Sequence, residues 1–142
     1  MRRRENPLPA DINARLPLAR LTLEKDPSVV FAYLFGGFGR GKPTPLSDVD
    51  VAVYLEPSAE VPSAKLDLVG ALMQALDTDE VDIVVLNEAP LALAGRIQQT
   101  AQVWVDKVPS QRFAYESLIR RQFADFAICE RRMLFRRFGL DR

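Results

Sequence analysis

Four of the chain's seven glycines stand in one six-residue stretch, Gly36-Gly37-Phe38-Gly39-Arg40-Gly41, between two strand patterns. Before it, Val29 to Phe35 is an apolar run rich in β-branched and aromatic residues, which reads as a buried strand feeding directly into the glycines. After it, Val49, Val51, Val53 and Leu55 alternate with Asp48, Asp50, Ala52 and Tyr54. That alternation predicts a strand with one face in the core and the other opening on two acids. Glycine admits positive φ and lets backbone N–H groups approach an anion closely. Carboxylates at i and i+2 of a strand project from one face, roughly 6.5–7 Å apart along the chain. A flexible, cationic glycine loop beside paired carboxylates points to a site for a metal-bound nucleoside triphosphate.

The remaining composition narrows the chemistry. At 142 residues the chain has the size of a single domain with a real core, and 48% hydrophobic content argues against disorder. Residues 1–142 are therefore read as one domain, with its core at about 28–106. No apolar run reaches the 18 or so residues of a membrane span. Met1-Arg2-Arg3-Arg4-Glu5 is basic, but Pro7, Pro9 and Asp11 follow where a signal peptide would be apolar, so a cytoplasmic protein is expected. With no histidine, Ser-His and Cys-His catalysis and histidine metal sites are excluded, and the lone Cys129 permits no intrachain disulfide or cysteine cluster. Cys129, within an apolar helical pattern, reads as a small buried hydrophobe.

Zero net charge hides an uneven distribution. Residues 48–88 hold ten acids against Lys65, whereas residues 111–142 hold eight arginines against Glu116, Asp125, Glu130 and Asp141. Solvated helix faces account for such runs as well as an acidic metal site and a basic partner surface do. No aromatic platform accompanies the arginines, so direct nucleic-acid binding is not expected.

The pattern predicts an α+β fold: a small mixed sheet flanked by helices, with a long C-terminal helix. Ile12, Leu16, Ala19 and Leu23 mark one face of a helix over 10–25, with Pro17 kinking or restarting it. Ser63 reads as the N-cap of a helix turning Leu66, Val69, Met73 and Leu76 inward. Val81 to Leu86 is a strand whose only charge is Asp82, and Asn87 reads as the cap of a helix from Pro90 to Thr100. Val103-Trp104-Val105 is a short last strand. Residues 110–136 form the long helix, with Ser110 as a possible cap and Ile119, Phe123, Phe126 and Met133 along a seam read as intramolecular core.

Competing phosphate motifs fail. Gly41-Lys42 is followed by Pro43 where a Walker A loop needs Ser or Thr. Gly37 and Gly39 lack the third glycine of a dinucleotide fingerprint, and Pro43 and Pro45 disfavour an immediate helix. Asp-x-Asp alone means little among eleven aspartates; Asp77-Thr78-Asp79 is a second instance and reads as turn chemistry.

Leu34-Phe35-Gly36-Gly37, followed at the right distance by Ser47-Asp48-Val49-Asp50-Val51, resembles the glycine loop and Asp-x-Asp signature of the DNA polymerase β nucleotidyltransferase superfamily. Val81-Asp82-Ile83-Val84-Val85-Leu86-Asn87, with a carboxylate on a neighbouring strand, and Ala89-Pro90-Leu91 resemble its minimal nucleotidyltransferase (MNT) branch. The resemblance covers roughly 28–106. It implies transfer of a nucleoside monophosphate from an NTP, ATP in the first instance, to a hydroxyl with two Mg²⁺ ions. Asp48, Asp50 and Asp82 would be the catalytic and metal-ligating residues, and Gly36, Gly37, Arg40, Lys42 and Ser47 would line the nucleotide site. It further implies an antitoxin paired in a hetero-oligomer with a HEPN-type RNase toxin, neutralised by binding or by adenylylation.

The chain departs from the pattern where Gly37 replaces the usual Ser and Phe38 the common Arg. The lost hydroxyl contact is worth about 0.5–1.5 kcal/mol. Two alternatives stay open: a binding module without catalysis, and a nucleotidyltransferase acting on a small molecule.

Overall fold

The computed structural model describes residues 8–41, 43 and 48–138. Its elements run α1 (Ile12–Lys25), β1 (Val29–Phe35), α2 (Gly36–Gly39), β2 (Val49–Leu55), α3 (Val61–Leu76), β3 (Val81–Val85), α4 (Leu91–Thr100), β4 (Gln102–Asp106) and α5 (Pro109–Phe138), with a 3₁₀ turn at Leu86–Glu88. The sheet order is β3-β2-β1-β4. β1 pairs antiparallel with both β2 and β4, and β2 pairs parallel with β3, so the expected mixed sheet is present.

Helices cover both faces. On one, Ala19 and Leu23 of α1 and Leu68, Leu72 and Leu76 of α3 meet Ala32, Leu34, Val51, Val53 and Ile83. On the other, Ile97 of α4 and Tyr115 of α5 lie over Val30, Phe31, Tyr33 and Ala52. A register shift between Val29 and Phe31 lets β1 serve both layers, because an extra residue in one strand breaks the strict alternation of faces.

Several local expectations give way to packing. α1 is one helix through Pro17, whose missing N–H costs a single bond to the preceding turn. α3 turns Leu68, Leu72 and Leu76 inward and leaves Leu66 73% exposed. Its sequence is apolar on nearly every side, so periodicity alone does not choose the buried face. That helix starts at Val61 with Pro62 in its first turn, and Ser63 lies inside it. It ends on Asp77 at φ 55°, while the Thr78 hydroxyl accepts from the Glu80 amide; the second Asp-x-Asp is turn chemistry.

Asn87 does not cap α4. Its Oδ1 accepts from the Leu55 amide at 2.8 Å, and its Nδ2 donates to the Leu55 carbonyl at 2.9 Å. The side chain thus does for the last residue of β2 what a neighbouring strand would do.

α5 divides in two. Ile119 is buried and Phe123 half-buried, but Phe126 and Met133 are 42% and 50% exposed, so only the first half of the seam is core. Cys129 is exposed as well. The reason is reach: α4 is 10 residues long and α5 is 30, so the longer helix outruns its support. The two helices meet where Gly95 leaves no room for a side chain, since a Cβ there would overlap the Phe123 ring. Gly95→Ala should therefore destabilise the fold by about 1–2 kcal/mol. Overpacking of about 1–3 kcal/mol outweighs the helix-propensity gain of about 1 kcal/mol. A urea midpoint unchanged from wild type would contradict that close fit.

Candidate active site

The central strand β2 carries Asp50, and its parallel neighbour β3 places Asp82 directly beside it in register. Asp48 precedes β2 by one residue and shares the alternation of Asp50. All three are half-buried, and each offers a carboxylate oxygen within 4.8 Å of the others. Three like charges held so close repel one another, and a cation between them lowers that cost. Half-burial sharpens that cost by excluding part of the screening water.

On the other side of β2, Phe35 of β1 pairs with Asp50, and the chain turns at once into α2. Gly36 has φ +70°, and a Cβ on it would overlap the Asp50 carboxylate. Here glycine is required on two counts, conformation and space. The stretch read as a flexible loop is in fact a single helical turn. The Arg40 amide donates to the Gly36 carbonyl and the Gly41 amide to the Phe38 carbonyl, both at 3.1 Å. Glycine disfavours helix by about 1 kcal/mol each, so something must hold this turn. Phe38 does so: only 7% exposed, it is driven into the core with Leu34 and Val49. Gly39 lets the turn sit against the carbonyl oxygens of Leu34 and Thr100. Phe38, a departure from the common pattern, is the peg of the glycine turn. Its only sequence signal was a lone aromatic among glycines.

Of the other candidate residues, Gly36 and Gly37 lie in this turn and Arg40 is exposed at its end. Lys42 and Ser47 fall outside the described residues.

Further along the sheet face that carries Asp50 lies a polar cluster that the sequence did not flag. The Tyr33 hydroxyl donates to Glu116 at 2.5 Å, and Arg112 pairs with Asp106 and Glu116, each at 3.0 Å. Phe31 stacks on Tyr54 at 4.8 Å, with Tyr115 tilted against both. The cluster fastens the first half of α5 to the sheet. Hydrogen bonding to Asp106 and then Glu116 holds Arg112 charged well above the usual range. Burial, followed by the Glu116 contact, raises Tyr33 well above its ordinary value, and burial pushes Tyr115 up to about 12.

These shifts set an alkaline limit. Unfolded tyrosine loses its proton near pH 10, whereas these two keep theirs when folded. Above pH 10 the native state therefore binds more protons, and stability falls. The stabilisation should be intact below pH 10 and lost as pH rises through 12. Denaturant midpoints measured from pH 8 to 12 should be flat and then drop, with the drop shallower in Tyr33→Phe/Tyr115→Phe. An unaltered alkaline limb in that variant would refute the assignment.

The profile of the family described as Polymerase beta, Nucleotidyltransferase matches residues 20–109. The chain belongs to that family. The match takes in every element from the end of α1 to the start of α5, including the glycine turn and all three carboxylates. Within reach of this nucleotidyltransferase is the protein adenylyltransferase MntA of Shewanella oneidensis, 29% identical over 102 residues, or 71% of this chain and 72% of that one. Among solved structures, a toxin–antitoxin complex with AMP-PNP contains a chain that superposes with TM-score 0.69 at 21% identity, covering 89% of this chain and 98% of that one. A complex of tri-AMPylated Shewanella oneidensis HEPN toxin with MNT antitoxin gives TM-score 0.62 at 21% identity, covering 92% and 97%. At such identities the structural likeness establishes the fold. No described helix is long and apolar enough to cross a membrane.

Proposed function

We propose that this nucleotidyltransferase moves AMP from ATP to a hydroxyl of a HEPN-type toxin and acts as that toxin's antitoxin. The observation that carries the reading is the meeting of Asp48, Asp50 and Asp82 beside the Gly36 turn. The similarity to MntA, a protein adenylyltransferase, supports the choice of reaction and of acceptor class.

The donor set fits Mg²⁺. Three carboxylates, and no nitrogen or sulfur donor in the group, form the oxygen-only environment that hard cations prefer. Asp48, Asp50 and Asp82 would hold the metal, with two ions as the working stoichiometry. Bound there, Mg²⁺ would supply charge neutralisation and Lewis acidity at the phosphates. The chain's own residues would do the rest. First-turn amides of Gly36 and Gly37, which a helix leaves without internal partners, would face the triphosphate. Arg40 and Lys42 would add positive charge to the β- and γ-phosphates, and Ser47 would border the same site. Asp82 would orient the acceptor hydroxyl and take its proton. The hydroxyl oxygen bonds to the α-phosphorus, the bond from that phosphorus to the β-bridging oxygen breaks, and pyrophosphate carries away the electron pair. Gly37 brings no side-chain hydroxyl to this cradle, so phosphate binding rests on backbone and cations. A cytoplasmic location belongs to the same reading.

The test is transfer from α-phosphate-labelled ATP with Mg²⁺, in the presence of a HEPN-type toxin. Label should appear on that protein with wild type and vanish with Asp48→Asn/Asp50→Asn. Tight binding without any label would make the chain a neutralising module, and the enzymatic reading would fall.

A further inference from the structure

At about 1.5 Å per residue, the 30 residues of α5 span about 45 Å. Through Phe123 the helix is seated on the sheet and on α4. From Ala124 onward every described side chain is exposed. These are the last four turns, and a free helix of that length is marginal in water. Yet they present Phe126, Ile128, Met133 and Leu134 at 40–50% exposure.

The exposed residues are not scattered. Ile119, Phe123, Phe126 and Met133 fall on one helix face at the spacing of a helix–helix seam, with the charged Glu130 and Arg137 at the positions that continue it. The stripe that α4 covers at Phe123 thus runs on uncovered past the end of the body. Along residues 124–138, Arg131, Arg132, Arg136 and Arg137 stand against Asp125 and Glu130; four minus two leaves an excess of two positive charges. Two such tails would repel, which disfavours a second copy of this chain. The apolar stripe distinguishes the surface from a plain phosphate-binding arginine run.

We propose that residues 124–138 are the docking element for the partner protein, received by an apolar helical groove rimmed with carboxylates. This rests on the reading that the partner is the HEPN-type toxin. The arginines would speed encounter and select an acidic rim, and Phe126 and Met133 would supply the buried anchors. Residues so exposed tolerate replacement with little change in folding.

The test is titration calorimetry of the purified toxin against the full-length chain, in the Asp48→Asn/Asp50→Asn background so that no modification intervenes. Phe126→Ser/Met133→Ser should weaken binding at least about tenfold. Arg131→Glu/Arg132→Glu should do the same and flatten the salt dependence, with circular dichroism unchanged in both. Equal affinity in both tail variants would overturn the docking element while leaving the antitoxin reading intact. No binding by the parent chain would remove the antitoxin reading and this proposal with it. Tail-dependent dimerisation of the chain alone, by light scattering, would assign the stripe to a second copy and overturn the proposal. Tail-dependent RNA binding with toxin affinity unchanged would overturn it equally.

Discussion

Nucleotide transfer by Asp48→Asn/Asp50→Asn is expected to fall by at least about 10³-fold, while its denaturant midpoint holds or rises. The first half follows from the chemistry of the cluster. Charged groups aimed at developing charge each contribute on the order of 10²–10³-fold, and two are removed. The second half follows from proximity. Carboxylate oxygens within 4.8 Å of one another repel, so neutralising two of the three lowers that mutual cost. Added Mg²⁺ should raise the melting temperature of wild type, by mass action, and not that of the variant. The two readouts together separate a metal-ligating role from a merely structural one. A variant that melts early, or that still responds to Mg²⁺, would contradict this account of the carboxylates.

The second large effect belongs to Gly36→Ala. At φ +70° an alanine bears a strain of about 1–2 kcal/mol. Its methyl group would also overlap the Asp50 carboxylate. The turn and the acid cannot both keep their places, so destabilisation of about 1–3 kcal/mol and near-complete loss of transfer are expected together. Gly41→Ala is the matched control. Gly41 has φ +72°, but no described residue would lie within 4 Å of a Cβ there, so it carries the strain without a described collision. It should lose about 1–2 kcal/mol from the strain alone and keep most of its transfer activity. Equal activity in the two variants would remove the claim that Gly36 is set by its contact with Asp50.

Much of this arrangement was legible in the chain. Alternation through Val49–Leu55 fixed which face of β2 carries Asp50, and the apolar run to Phe35 fixed the strand beside it. Asp82, the single charge in its strand, stands beside Asp50, a placement that the family resemblance implied and the strand's own pattern did not. What stayed hidden was set by contacts distant in sequence. Glycines read as loop because their propensity says so; the burial of Phe38 overrides it. α3 carries more apolar residues than one face can bury, and packing on α1 and the sheet selects Leu68, Leu72 and Leu76. The seam of α5 was legible as a stripe, but its length against α4 was not, so Phe126 and Met133 were placed inside and stand outside. Arg112 and Glu116 stand at i,i+4 and could have been read as a helix pair, but their tie to Tyr33 joins residues 83 positions apart and leaves no local signal.

The clamp of Asn87 on Leu55 bears on the distant carboxylates. A parallel pair has no hairpin to fix its alignment, and β2 and β3 are joined only through α3. Sliding β3 by one residue would turn Asp82 to the opposite side of the sheet. Leu55 lies five residues from Asp50, about 17 Å along the strand. The amide of Asn87 can meet both backbone groups of Leu55 in one alignment only. The far end of the sheet thus acts as a vernier for the near end: a side chain with no part in the chemistry keeps two acids opposite each other.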